Sequence, residues 1–271
     1  MNICFIGGGN MASALIGGLL GKGFVAGDMR VVEPFPQQRQ ALGEKFGVAC
    51  QAEVDAAALD ADVLVLAVKP QQMQAALAPI AGRLRRPVVL SIAAGLTLET
   101  LSAWLSGYRR IVRAMPNTPA LIGAGMSGLF ALPELTQDER RMAERVLAAA
   151  GETLWVEEEG QMDAITAISG SGPAYFFLFL EALEEAAQSL GLSPDAARKL
   201  ALQTGFGAAS LARTSPESPA ALRARVTSKG GTTAAALAVM EEMGVAAGII
   251  AGARAASLRS AELSQQEGGK K

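Results

Sequence analysis

The chain follows two rhythms in its first half and only one in its second. Short apolar runs recur at Asn2 to Ile6, Met29 to Val32, around Val48, Val63 to Val68, Pro87 to Ile92 and Ile111 to Met115. Unbroken runs of this length, bounded by glycine, proline or charge, read as strands buried on both faces. Between them lie apolar residues at helical spacing, such as Ala14, Leu15, Gly18 and Leu19 after the first run, and the stretch Gln71 to Leu84. Such alternation predicts right-handed crossovers and a parallel sheet. Gly125 to Ala131 adds a strand, Thr136 and Glu139 open the next helix as a capping box, and Thr153 to Val156 is the last strand signal.

Beyond Glu157 to Gly160 the pattern is helical only. It predicts a helix over Pro173 to Leu190, one opened by Ser193 with Pro194 in its first turn, one over Thr232 to Met243, and a long one from Val245. Gly244, Gly248 and Gly252 recur every four residues, a smooth stripe on which another helix can lie closely. The tail from Gln265 to Lys271 is polar and expected to fray. The expected division is thus an alternating strand-and-helix domain over 1–160 and a helical one over 161–271. The second is too smooth and apolar to stand alone, which predicts a homodimer or larger homo-oligomer through these helices.

Composition narrows the function. Half of the 271 residues are hydrophobic, so a sizeable core is assured, and a net charge of -2 with no basic face argues against nucleic acid. No uncharged apolar run reaches the roughly 20 residues of a membrane span, and the chain opens directly into a strand. The expectation is a soluble, cytoplasmic protein. Tyr175 to Leu180, halted by Glu181, Glu184 and Glu185, reads as part of a buried helix. Cys4 and Cys50 sit among apolar neighbours as reduced thiols. Histidine is absent, so the usual zinc ligand and the usual neutral-pH acid or base are both missing. No metal is expected.

Two glycine-rich turns carry the candidate chemistry. After the first strand comes Gly7-Gly8-Gly9-Asn10-Met11-Ala12, where Gly7 makes the turn, Gly9 lets the backbone approach a pyrophosphate and Ala12 lets helix pack on strand. About 20 residues on, the second strand ends in Glu33, where an acid takes the ribose hydroxyls of a dinucleotide. Ligands of such sheets lie at the carboxyl ends of the strands. There the chain offers Ala67-Val68-Lys69-Pro70, Ala93-Ala94-Gly95 and Pro116-Asn117-Thr118. The expected cofactor-binding residues are Ile6, Gly7, Gly8, Gly9, Asn10, Met11 and Glu33, with Ala67, Val68, Lys69, Pro70, Ala93, Ala94, Gly95 and Asn117. Lys69 could also polarise a carbonyl. The second turn, Val226 to Thr233, sets Ser228, Gly230, Gly231, Thr232 and Thr233 before a helix, a corner suited to a small anion. An ordinary threonine cap is the competing reading of it. Ser169-Gly170-Ser171-Gly172-Pro173 reads as a further turn that either binds a ligand or lets elements meet.

In this order the motifs resemble the pyrroline-5-carboxylate reductase family, over Gly7 to Ala12, Ala67 to Pro70, Ala93 to Gly95, Met115 to Ala120, Ser169 to Tyr175 and Val226 to Thr233. Most members carry proline where this chain has Lys229. The resemblance implies a Rossmann-like parallel-sheet domain, a C-terminal all-helical dimerisation domain, and reduction of 1-pyrroline-5-carboxylate to L-proline by NADPH or NADH. It further implies that Ser228, Gly230, Gly231 and Thr232 hold the substrate carboxylate while Thr233, as the catalytic residue, hydrogen-bonds the ring nitrogen. Glu33 repels a 2′-phosphate and tilts the choice towards NADH, with Arg39 the nearest cation; both cofactors stay open. Two other readings stay open as well. One is a 3-hydroxyacid-type dehydrogenase with Lys199 as its proton donor; the other is a non-catalytic nucleotide sensor.

Overall fold

The structure, a computed structural model, describes residues 1–268. Eight strands form one sheet: β1 (Ile3–Ile6), β2 (Met29–Val32), β3 (Ala49–Gln51), β4 (Val63–Leu66), β5 (Val88–Ser91), β6 (Ile111–Met115), β7 (Gly125–Ala131) and β8 (Gly151–Trp155). In the first half α1 (Asn10–Gly21), α2 (Pro36–Phe46), α3 (Ala56–Leu59), α4 (Pro70–Leu77), α5 (Leu98–Trp104) and α6 (Gln137–Ala148) separate them. After β8 come α7 (Gln161–Ile165), α8 (Gly172–Ser189), α9 (Pro194–Thr214), α10 (Pro219–Arg225), α11 (Thr232–Glu242) and α12 (Val245–Gly268).

The strand order is β3-β2-β1-β4-β5-β6-β7-β8. The first six strands are parallel, and the chain crosses from one side of β1 to the other between β3 and β4. Ligands of such sheets bind at that switch point. The alternation predicted a parallel sheet, and the structure departs from it at one pairing, where β7 runs antiparallel to β6. The connection Pro116 to Ala124 is too short for a crossover, which takes about a dozen residues, so the chain turns back beside the strand it left. From β7 the crossover through α6 is long enough, and β8 pairs parallel with β7. Alternate residues then feed two cores. Ile3, Phe5, Val63, Val65 and Leu90 pack with Leu15 and Leu19 on one face, while Cys4, Ile6, Leu64, Leu66 and Val89 pack with Met73, Leu77 and Leu101 on the other.

The chain divides into two compact units, Met1 to Ser171 together with the chain from Ala255 onward, and Gly172 to Arg254. This division differs from a cut after residue 160. Residues 161–171 and the end of α12 pack with the sheet unit, where Ser260 Oγ donates to Asp163 at 2.7 Å. The expected frayed tail begins inside α12, which continues to Gly268, and residues 269–271 lie outside the described residues.

The second unit is helices with almost no interior. Gly172 on α8 and Ala197 and Ala201 on α9 are its buried small residues, while Phe176, Phe177, Leu178, Phe206, Val239, Met243, Ile249 and Ile250 are all more than half exposed. Ser193 caps α9 with Pro194 in its first turn. Gly244 breaks α11 from α12 in a left-handed conformation, φ +70, and added Cβ atoms at Gly244, Gly248 and Gly252 would meet nothing within 4 Å. The stripe is thus open on this chain. Among the described residues no single helix is long and apolar enough to cross a membrane; one bent pair, Thr232–Glu242 with Val245–Gln266, passes by length and composition.

Candidate active site

At the switch point the first glycine turn is held by backbone geometry. Gly7 has φ +97, and a Cβ there would lie 2.7 Å from the Ala67 carbonyl oxygen, so only glycine lets the β1 and β4 exits run side by side. Gly9 is different. Its φ is -69, open to any residue, and a Cβ there would meet nothing within 4 Å. No atom of the chain requires glycine at this position, and in dinucleotide-binding turns this is the glycine that lets the backbone approach a pyrophosphate. Gly9 is also the N-cap of α1, with no side-chain cap and no acid in the first turn, so the helix end stays positive for a phosphate. Asn10 and Met11 begin that helix, and Ala12, fully buried, allows it to pack on β1.

Glu33 is 7% exposed, and its carboxylate accepts from Gly8 N–H at 2.8 Å and Phe35 N–H at 3.1 Å. Its two oxygens thus pin the glycine turn to the β2 exit. Gln38, which the sequence reading did not single out, donates to the Gly8 carbonyl at 2.7 Å from the other side. Arg39 Nη1 donates to the backbone carbonyls of Glu33 and Pro34 at 2.7 and 2.9 Å, which holds its guanidinium on the β2 exit.

The other strand exits face the same edge of the sheet. Ala67, Val68 and Lys69 leave β4, where exposed Lys69 is the N-cap of α4 and Pro70 fills its first turn. Ala93 is buried, Ala94 stands exposed at the loop apex, and Gly95 turns back with φ +75. Asn117 spends its amide on the protein: Oδ1 accepts from Met126 N–H at 2.8 Å, and Nδ2 donates to the carbonyl and hydroxyl of Ser169 at 3.1 and 3.2 Å. The segment expected to be a serine-glycine turn is instead a π-helical turn, Thr166–Gly170, that links α7 to α8, with Ser171 N–H reaching the Thr166 carbonyl at 2.8 Å. Wide turns of this kind recur at functional sites.

Burial brings two further groups into play. Arg113 lies on β6 at 5% exposure, a charge inside a buried strand, and pairs with Glu159 at 3.0 Å. The same Glu159 oxygen accepts from Leu98 N–H at 2.8 Å, fixing the start of α5 behind the Ala93 to Gly95 loop. The arginine in an apolar run was the signal that a carboxylate partner had to lie against it. Cys4 is inert, since burial pushes its thiol up to about 12.

The second turn belongs to the helical unit. Gly231 N–H donates to the Ser228 carbonyl at 3.0 Å, and Gly230 sits at φ +73 in the third position, the geometry of a type II turn. Proline favours the second position of such a turn, here Lys229, so the departure keeps the corner and forgoes some stiffness. An added Cβ at Gly231 would lie 2.4 Å from Ser228 Oγ. Gly231 itself is the N-cap of α11 and offers no side chain, so the ordinary threonine cap is not what the sequence builds: Thr232 and Thr233 stand inside the first turn. The first N–H groups of α11 and the hydroxyls of Ser228 and Thr232 edge an exposed corner. Lys199, the proton donor of the hydroxyacid alternative, is exposed on α9.

A Rossmann sheet with a glycine-rich turn opening a helix at its switch point belongs to the class of dinucleotide-binding folds. A family model described as NADP oxidoreductase coenzyme F420-dependent matches residues 2–95, and one described as pyrroline-5-carboxylate reductase dimerisation matches residues 159–263. The pyrroline-5-carboxylate reductase of Pseudomonas aeruginosa is 46% identical over 267 residues, 98% of either chain. Among solved structures, a pyrroline-5-carboxylate reductase from Coxiella burnetii has a TM-score of 0.91 at 42% identity, covering 97% of this chain and 98% of that one. The Plasmodium falciparum pyrroline carboxylate reductase with NADP bound has a TM-score of 0.86 at 27% identity, covering 97% and 98%. The chain belongs to the pyrroline-5-carboxylate reductase family, and its activity is the NAD(P)-dependent pyrroline-5-carboxylate reduction of proline biosynthesis. It carries an NADP-binding domain and a dimerisation domain that implies homo-oligomers. The hydroxyacid dehydrogenase and the sensor fall away.

Proposed function

We propose that the Ser228 to Thr233 corner holds the carboxylate of the imine substrate and that Thr233 hydrogen-bonds its ring nitrogen. The single observation that carries this reading is the opening of α11: glycine at the N-cap, no capping side chain, and a type II turn stacked in front of it. Uncapped helix N–H groups favour an anion, and Ser228 and Thr232 add hydroxyl donors at the rim. A bound reduced nicotinamide supplies the hydride. The substrate needs little acid catalysis, because a cyclic imine is readily protonated in water; a chain without histidine loses nothing by it. What the protein contributes is orientation, with the carboxylate fixed at one end and the ring nitrogen steadied by Thr233. Thr233→Ala should lower kcat by about 10-fold or more, the worth of a hydrogen bond to a charged ring nitrogen. Unchanged turnover in a steady-state assay removes Thr233 from the mechanism.

On the cofactor side Gly7 to Met11 take the pyrophosphate, and Ala67 to Pro70, Ala93 to Gly95 and Asn117 edge the nicotinamide end. Glu33 and Arg39 set the choice between NADH and NADPH. The acid repels a 2′-phosphate and the guanidinium on the same β2 exit offsets that charge, so both cofactors are used, with NADH favoured. A kcat/KM higher with NADPH than with NADH contradicts that order. The exposed apolar helices of Gly172 to Arg254 are the surface that a second copy covers.

A further inference from the structure

We propose that the α12 turn from Ser260 to Ser264 is a positioning element for the cofactor, setting the loop Ala93 to Gly95 from behind. The proposal rests on the reading that this loop receives the nicotinamide. Three observations place the turn there. An added Cβ on Gly95 would lie 3.6 Å from Leu263 Cβ and 3.9 Å from Ser264 N, so the helix backbone lies directly against the loop where it turns back at φ +75. Ser260, 5% exposed, donates to Asp163 Oδ1 at 2.7 Å and ties the helix to α7. Ahead of α7, Glu159 grips Leu98 N–H and Arg113, so the loop's other end is fastened to the same short segment. Loop, α5 start, α7 and α12 are thus joined by one bracket, partly buried hydrogen bonds at Glu159 and Asp163 and the close backbone approach at Gly95. Ser264 Oγ, in the same turn, is the buried side-chain oxygen without a hydrogen-bond partner among the described residues.

A loop held only at its strand end is free to drift, and a bracket on its far side removes that freedom before the cofactor arrives. Ser260 and Asp163 touch neither substrate nor cofactor in this account; they act through Gly95. Loss of their bond should therefore weaken cofactor binding while leaving the affinity for the imine alone.

The test is calorimetric titration of NADPH into the full-length enzyme, with KM for 1-pyrroline-5-carboxylate and the melting temperature measured alongside. Ser260→Ala and Asp163→Ala should each raise the NADPH Kd about 5-fold, the worth of one hydrogen bond, and the double variant should be no worse than either. Asp163→Asn, which keeps an acceptor, should restore most of the affinity, and the imine KM should stay within about twofold of the parent. Ala94→Trp serves as the control for the loop itself. If Ala94→Trp weakens NADPH and the Ser260 and Asp163 variants do not, the bracket is overturned and the loop reading stands. If Ala94→Trp leaves NADPH binding unchanged, the loop reading fails and the proposal falls with it. A rise in Kd that adds in the double variant, or that Asp163→Asn shares in full, also overturns it.

Discussion

Two glycines in one turn separate what folding needs from what the ligand needs. Gly7 answers to the chain: at φ +97, with the Ala67 carbonyl 2.7 Å from any added Cβ, alanine there strains the fold. Gly9 does not: its φ of -69 is ordinary and no atom of the chain opposes a methyl group, which leaves the proposed pyrophosphate as the reason for glycine there. Gly9→Ala should leave the melting temperature unchanged and weaken NADH and NADPH at least 10-fold, read by titration and thermal denaturation together. A Gly9→Ala enzyme with parental cofactor affinity would show that the pyrophosphate does not lie on this turn. The sequence motif showed both glycines without telling them apart, because the distinction depends on what the β4 exit places beside Gly7. The role of Gln38 was likewise invisible, as its bond to Gly8 arises only when α2 and the turn meet.

The helices and strands that could be read from the chain are those with local causes. The capping box is one: Thr136 N–H and Oγ1 bond Glu139, Glu139 N–H returns to Thr136 Oγ1, and Arg110 joins the same carboxylate. Burial pushes the Glu139 carboxyl up, and these bonds more than offset it, leaving it below its usual 4.5. The folded chain therefore binds fewer protons there than the unfolded one, so the stabilisation is present above about pH 4.5 and lost as pH falls through the folded value. Melting temperature against pH should fall less steeply below pH 4.5 for Glu139→Gln than for the parent, and identical acid limbs would refute the linkage. Elements with distant causes were hidden. The direction of β7 depends on how far Pro116 to Ala124 can reach, and the turn at Ser169 to Gly172 is wound into a helix by its neighbours although its composition spells a loop. Nothing in the polar end of α12 announces that Ser260 is buried against Asp163.

At the scale of the molecule, the helical unit leaves a large apolar surface uncovered. It buries little more than Gly172, Ala197 and Ala201, while Phe177 on α8 and Ile249 on α12 are 63% and 58% exposed. So much uncovered apolar surface implies a partner, and the dimerisation domain identifies it as a second copy. Phe177→Glu with Ile249→Glu should lower the mass seen by light scattering to that of one chain, and an unchanged mass would move the interface elsewhere. The sequence displayed this surface as a stripe of Gly244, Gly248 and Gly252, open as the structure has it. The central claim is that a corner of this unit binds the substrate by its carboxylate. The most direct test compares kcat/KM for 1-pyrroline-5-carboxylate and for 1-pyrroline, which lacks the carboxylate, in the parent enzyme and in Ser228→Ala. Loss of a hydrogen bond to a charged group should cost about 10-fold or more with the carboxylated imine and leave the other nearly untouched. An equal loss with both imines, or none with either, contradicts the account.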